Sequence, residues 1–94
     1  MAAADEAAVK AVEIDGVEVE VDLVYMRSWA GVRQAALTQS SELNEGQRMA
    51  AMVEYYEHAV PNIDDVAAAV GESAPLDAVV AVVNRAIREA TPKN

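Results

Sequence analysis

The chain has 94 residues, no cysteine, seven basic and sixteen acidic residues, and a net charge of −9 at pH 7. This length predicts one domain with a small core, and the charge argues against binding nucleic acid or anionic membranes, which requires clustered Lys and Arg. The lack of cysteine excludes disulfides, thiolate catalysis and cysteine-based zinc sites. No signal peptide or apolar run of the ~20 residues that span a membrane is evident, so we expect a cytoplasmic protein.

The apolar residues of the chain are mostly small. Hydrophobic residues make up 53% of the sequence, but twenty of them are Ala and fifteen are Val. Burial contributes roughly 25 cal/mol per Å² of apolar surface, so such a core gains little per residue, and we expect association with another protein or with further copies of the chain. Residues 1–9, Ala-rich and acidic, predict a flexible tail ahead of a single domain at residues 10–94.

The clearest local signal is an alternation of apolar and charged residues on both sides of Asp15-Gly16. Asp-Gly favours a two-residue turn with positive φ at both positions, which predicts a β-hairpin from about Val12 to Val21. The expected cross-strand pairs are Ile14 with Val17 and Val12 with Val19 on one face, and Glu13 with Glu18 on the other. Because a lone hairpin is marginally stable, helices must cover its apolar face.

The first helix is expected to begin at Leu23 or Ser28 and to end at Thr38, with Asp22 or Ser28 as its cap. Gly31 lies inside this helix at a cost of up to about 1 kcal/mol relative to Ala, which we interpret as close packing against the hairpin. The helical spacing predicts a core-facing stripe of Tyr25, Trp29, Val32 and Ala36, bordered by Met26, Ala30 and Leu37.

The second helix begins with the capping-box pattern of Asn44 and Gln47 and ends at Pro61, because the residue before proline avoids the helical region. Its predicted buried stripe consists of Met49, Met52, Val53, Tyr56 and Val60.

Two further helices follow in the sequence. The third is expected from about Ile63 to Val70, with Asn62 as its cap and Gly71 as its stop. The last runs from about Pro75 to Ala90, with Ser73 as a candidate cap and Pro75 in its first turn. Its core stripe would consist of Leu76, Val79, Val80, Val83 and Ile87. The sequence therefore predicts an α+β domain in which an N-terminal β-hairpin packs against three or four α-helices.

The titratable residues do not form a recognisable catalytic or metal-binding pattern. His58, the only histidine, could hold a metal only with carboxylates such as Glu54 or Glu57, and we interpret it as a surface or helix-end residue. Asp64 and Asp65 are adjacent, so on a helix they point about 100° apart, and the helix dipole accounts for both. No phosphate-binding, hydrolase or metalloprotease motif occurs. We expect no catalytic site, no metal and no cofactor.

Two apolar groups remain as candidates for binding a partner. One is a group of Met and Tyr residues on the second helix, where Met adapts to irregular partners and Tyr is enriched at interfaces. Tyr55 lies off the predicted stripe, whereas burial in the core is the alternative for the others. The second is the broad apolar side of the last helix, for which simple space filling is the alternative. The candidates are Met49, Met52, Tyr55, Tyr56, Ala78, Val82 and Ala86.

The order of these elements resembles the tail assembly chaperones of long-tailed phages and prophages. The resemblance covers about residues 12–94 and rests on an acidic Ile-Asp-Gly hairpin, a Ser-Trp pair near a helix start, capped helices and a Lys-Asn ending. The resemblance implies a non-catalytic protein with an α+β fold. Such a protein binds the aggregation-prone tape-measure protein and keeps it soluble until tail-tube protein polymerises round it. Many such proteins also have a longer, frameshifted form whose extra domain recruits tube subunits.

The alternative function is that of an acidic inhibitor, which mimics nucleic acid or occupies a basic site on a host enzyme. It predicts carboxylates concentrated on one face and binding that weakens steeply in salt. The chaperone predicts apolar, largely salt-tolerant binding to a helical client.

The frameshift hypothesis makes a prediction about the gene. Pro92-Lys93-Asn94 can be encoded as CCA-AAA-AAC, which contains the slippery run A-AAA-AAC. We expect sequencing of these codons to show that run, an overlapping minus-one frame, and a long helical reading frame next in order. Codons that break the run would remove the frameshift and leave a chaperone without a longer form.

Overall fold

The computed structural model describes residues 9–71 and 73–91, and in these ranges the chain forms a β-hairpin followed by five helices. The strands are β1 (Val9–Ile14) and β2 (Val17–Asp22). The helices are α1 (Leu23–Arg27), α2 (Trp29–Leu37), α3 (Glu45–Ala59), α4 (Ile63–Val70) and α5 (Leu76–Ala90). The predicted α+β class is confirmed, with one helix more than expected.

The predicted tail lies outside the described residues except at its last position. Val9 is paired with Asp22 across the hairpin and begins β1. The boundary predicted between residues 9 and 10 is therefore wrong, because strand pairing continues further than the alternation in the sequence indicates.

The hairpin has the predicted turn and register. Asp15 and Gly16 have φ values of 51° and 85°, as a two-residue turn with two positive φ angles requires. Ile14 pairs with Val17, Val12 with Val19, and Glu13 with Glu18. One face is buried at Ile14, Val19 and Val21, while both glutamates are exposed. This apolar face forms the floor of the core.

The helices cover that floor from the C-terminal half of the chain. α5 packs on both strands, α4 packs on β2 and α5, and α3 reaches β2. The core residues of α5 are Val83, Ala86 and Ala90, which are three and four positions apart and so lie on one face of the helix. The core residues outside the hairpin are Leu23, Tyr56, Ala59, Val60, Val66, Val83, Ala86 and Ala90.

Asn62 stands at the N-cap of α4 as predicted, but its side chain makes no capping hydrogen bond. Instead its Oδ1 accepts from the backbone N–H of Glu20 at 2.9 Å, and its Nδ2 donates to the carbonyl oxygen of Glu18 at 3.0 Å. One amide thus satisfies two backbone groups on the outer edge of β2, which would otherwise be open to pairing with another strand.

The cap predicted at Ser73 is wrong, because α5 begins one residue after Pro75 without a side-chain cap.

The helix predicted between Leu23 and Thr38 is divided at Ser28. Both predicted caps are used: Asp22 accepts from the backbone N–H of Tyr25, and Ser28 accepts from that of Gly31 at 3.0 Å. The Ser28 hydroxyl also donates to the carbonyl oxygen of Tyr25 at 2.6 Å, so one residue ends α1 and begins α2. Its extended backbone (φ −75°, ψ 162°) redirects the chain between the two helices.

This break makes the predicted core stripe wrong. Tyr25 and Met26 pack against the core, but Trp29 is 83% exposed and Val32 is 55% exposed. A stripe at helical spacing shares one face only within an uninterrupted helix. The α2 stripe therefore faces solvent, and Ala36 is exposed with it.

Gly31 is buried, but its close neighbour is not the hairpin. A Cβ built at this position would overlap the backbone carbonyl oxygen of Tyr25, at the end of α1. Close packing was correctly predicted, and the element it packs against was not. The tight turn at Ser28 brings the first turn of α2 onto α1.

We expect Gly31→Ala to destabilise the fold by about 1–3 kcal/mol, because the backbone must shift although Ala is the better helix former. Gly46→Ala is the matched control: Gly46 is also helical, and its Cβ would meet only Asn44 Oδ1 at an ordinary 3.5 Å. That control should stabilise by up to about 1 kcal/mol. Urea denaturation followed by circular dichroism measures both, and equal effects would contradict the close approach at Gly31.

Candidate partner-binding surface

The structure separates the seven residues predicted to bind a partner. Met49 is 46% exposed on α3, and four of the other residues are half-buried: Met52, Tyr55, Ala78 and Val82. Tyr56 and Ala86 belong to the core, at 9% and 0% exposure. Ala86 offers no surface to a partner in this structure, because its face of α5 lies against the hairpin.

Three of the predicted residues lie together in what we call the Met–Tyr groove. This groove has a volume of ≈ 350 Å³ and lies between α1, the end of α2, α3 and α5. The Tyr56 hydroxyl donates to Asn84 Oδ1 at 3.0 Å and so ties α3 to α5 at its wall. The groove mixes apolar and polar groups, and its lining comprises Met26, Ala35, Thr38, Gln39, Met52, Tyr55, Tyr56, Asn84 and Ile87.

A second depression, the apolar groove, lies between α3, α4 and α5. Apart from two carboxylates its side chains are almost entirely hydrocarbon, and it is lined by Val53, Tyr56, Glu57, Ile63, Asp64, Ala67, Leu76 and Val79. Val53 and Leu76 are 43% and 36% exposed, although both were predicted to lie in the core. Its volume of ≈ 170 Å³ is below the ~300 Å³ of the smallest usual small-molecule pockets. This size suits one or two side chains of a partner protein.

The course of α3 explains why the apolar groove is open. Only the C-terminal part of α3 joins the buried core cluster, through Tyr56 and Ala59, and Val60 follows directly after the helix. Its N-terminal part packs on α2, where the Gln34 amide donates to the carbonyl oxygen of Ala51 at 3.0 Å. The chain then turns at residues 60–62 into α4. The corner that results is left uncovered by any described element.

Met49 extends this apolar surface. It precedes Val53 by four residues on α3, so the two side chains lie one turn apart on the same side of the helix. Both residues are close to half exposed. The predicted burial of Met49 is therefore wrong, and its predicted contribution to a surface is compatible with its position.

Sequence reasoning missed several exposed apolar residues. Val53, Leu76, Trp29 and Val32 were all assigned to core stripes, and all are exposed to solvent over more than a third of their surface. One signal could have identified the two α2 residues: Asp22 and Ser28 are two good N-cap residues only six positions apart, which indicates two helices. Nothing local to Val53 or Leu76 indicates that they meet at a groove.

His58 lies in an aromatic cluster. Its ring stacks on Tyr25 with centroids 5.2 Å apart, and Tyr25 lies 5.9 Å from Tyr55, which is in turn 5.9 Å from Tyr56. Within residues 9–71 and 73–91 no three His, Asp or Glu side chains are placed to hold a metal ion together. None of the helices in these ranges combines the length and the apolar character needed to cross a bilayer.

Comparisons of the chain with protein-family models, with curated proteins and with solved structures give no match.

The three tyrosines of the cluster share one electrostatic property. Burial raises the pKa of Tyr25, Tyr55 and Tyr56 above the ordinary value. A nearby acidic group adds to the effect in each case: Glu54 for Tyr25, Tyr25 for Tyr55, and Tyr55 for Tyr56. The hydrogen bond from Tyr56 to Asn84 opposes part of this rise.

These shifts predict an alkaline limit to stability. Because the folded state favours the neutral phenols, their contribution is complete below the unfolded pKa of about 10 and is lost as the pH rises through the higher folded values. These are all the tyrosines of the chain, so tyrosinate absorbance should appear at higher pH in the native protein than in urea. Coincident titrations in the two solvents would contradict the burial of this cluster.

Proposed function

We propose that this chain is a non-catalytic assembly chaperone of the phage-tail type. It acts in the cytoplasm of the host bacterium, where it binds an apolar helical segment of the tape-measure protein and keeps that protein soluble. The observation that carries this proposal is the apolar groove, in which Val53 and Leu76 lie half-exposed between three helices. The resemblance in the order of elements supplies the identity of the client.

The groove suits a helix better than it suits an extended strand or a metabolite. Apolar residues of an amphipathic helix recur every three or four positions, so they form a row of anchors. Met49 and Val53 form a similar row on α3, and Leu76 of α5 lines the groove together with Val53. A client helix lying in this corner would bury the exposed parts of Val53 and Leu76, at about 1 kcal/mol for each.

The charge of the chain supports the second half of the function. A net charge of −9 on each copy makes coated client molecules repel one another, which opposes their aggregation. The outer face of the hairpin contributes to this charge, because Glu13 and Glu18 point away from the core. Recruitment of tail-tube protein would belong to a longer, frameshifted form of the chain.

The proposal is tested by co-expressing the chain with the tape-measure protein and measuring the soluble fraction of the latter. Val53→Asp should weaken the interaction about tenfold or more, because it removes apolar contact and places a carboxylate against hydrocarbon. Val24→Asp is the matched control, since Val24 is 60% exposed on α1 and lies outside both grooves. Equal solubility of the client with both variants, or without the chain, would refute the proposal.

Salt separates this function from that of an acidic inhibitor. Between about 0.1 and 1 M salt the Debye length falls from about 10 to 3 Å, so binding between opposite charges weakens steeply. Binding of the client in an apolar groove should change far less over this range, by at most about 25-fold, which is the contribution of two exposed ion pairs. A steep loss of binding that is insensitive to Val53→Asp would favour the inhibitor.

A further inference from the structure

Two carboxylates are part of the apolar groove. Glu57 comes from α3 and Asp64 from α4, and both are exposed among the hydrocarbon side chains that line the depression. Among residues 9–71 and 73–91, the salt bridge that forms joins Arg85 of α5 to Asp15 at 2.9 Å, and it does not involve Glu57 or Asp64. Glu57 and Asp64 therefore form an acidic rim to which a partner can add cations.

We propose that this groove selects helices in which an apolar anchor is flanked by Lys or Arg. The inference rests on the proposed function and specifies the chemistry of the client segment. The anchor enters between Val53 and Leu76, and the cationic heads remain in water at Glu57 and Asp64. Long basic side chains suit this arrangement, because their methylene stems cover apolar surface while the charge stays solvated.

The acidic rim also discriminates against negatively charged helices. A helix that carries Asp or Glu beside its anchor would bring like charges together at Glu57 and Asp64, which disfavours it relative to a neutral helix. Exposed ion pairs each change an affinity by only about 1.4- to fivefold, so two of them change it by about two- to 25-fold. The rim thus sets a preference among helices, and the apolar contact supplies the rest of the binding.

The test uses the full chain and three labelled peptides of about 18 residues, long enough to form a helix. All three are Ala-based with the same Leu stripe, and they differ in carrying Lys, Gln or Glu beside it. Fluorescence anisotropy should give the order Lys, Gln, Glu, with the Lys peptide binding about two- to 25-fold more tightly than the Gln peptide. In about 1 M salt the three affinities should converge.

Two double variants locate the effect. Glu57→Gln with Asp64→Asn should remove the preference for the Lys peptide, so that this variant binds the Lys and Gln peptides with equal affinity. Glu13→Gln with Glu18→Gln changes the net charge equally on the exposed face of the hairpin and should preserve the preference. Circular dichroism verifies that each variant is folded, and the salt series on the unmodified chain needs no variant at all.

The possible failures are distinguishable. If all three peptides bind equally and Val53→Asp abolishes binding, charge selection is overturned and the proposed function stands. If no peptide binds and the client remains insoluble, both fail. If the chain alone forms a dimer that Val53→Asp causes to dissociate, the groove binds a second copy of the chain. The proposal that it binds a basic helix is then overturned.

Discussion

A two-stranded hairpin has one apolar face and too few neighbours to stay folded in water, so the rest of this molecule depends on covering that face. Ile14, Val19 and Val21 supply the floor, and each is at most 1% exposed. The floor is narrow, so it buries only the helical positions directly above it: Leu23 of α1, the C-terminal end of α3, Val66 of α4, and one face of α5. Apolar residues slightly further along the same helices lie beyond its edge. The apolar groove is therefore a consequence of placing three helices on two strands.

The hydrogen bonds around the hairpin set where the helices can lie. Asn62 joins the start of α4 to the backbone of β2, and this fixes the corner after α3. Arg85 reaches Asp15 in the hairpin turn from α5, but both side chains are largely exposed, so the pair adds little stability. The position of α4 at the groove thus depends more on one uncharged amide than on the salt bridge.

The hairpin turn and the start of α3, which sequence neighbours govern, were predicted correctly, whereas the cap predicted at Ser73 was not. The Asp15-Gly16 turn determines the register of the hairpin, and the reciprocal bonds of Asn44 and Gln47 begin α3, as the capping-box pattern indicates. The predicted faces failed where geometry between elements decides. The apolar spacing predicted one continuous helix, but Ser28 divides it, and Trp29 faces solvent as a result. Periodicity shows which side chains share a face, but it does not show whether another element covers that face.

The candidate site was less predictable for the same reason. Met52, Tyr55 and Tyr56 do share a groove, because spacings of three and four place them on one side of α3. α5, in contrast, is rich in Ala and Val on several sides, so its composition could not distinguish the buried Ala86 from the half-buried Ala78 and Val82. The apolar groove combines residues from three separate helices, and no sequence pattern links them before the chain is folded.

The shallowness of the groove has a consequence for the proposed chaperone. An assembly chaperone must release its client when the structural subunits arrive, and affinity differences between related complexes lie mainly in the dissociation rate. A groove of ≈ 170 Å³ with half-exposed walls offers a few kcal/mol of apolar burial at most, much of which offsets the cost of association. In the proposed chaperone each contact would then be weak and short-lived, and a long helical client would be held by several such contacts along its length. A larger floor would have buried Val53 and Leu76 and stabilised the domain. The narrow hairpin instead leaves them exposed, so the constraint that limits stability also creates the surface on which the proposed function depends.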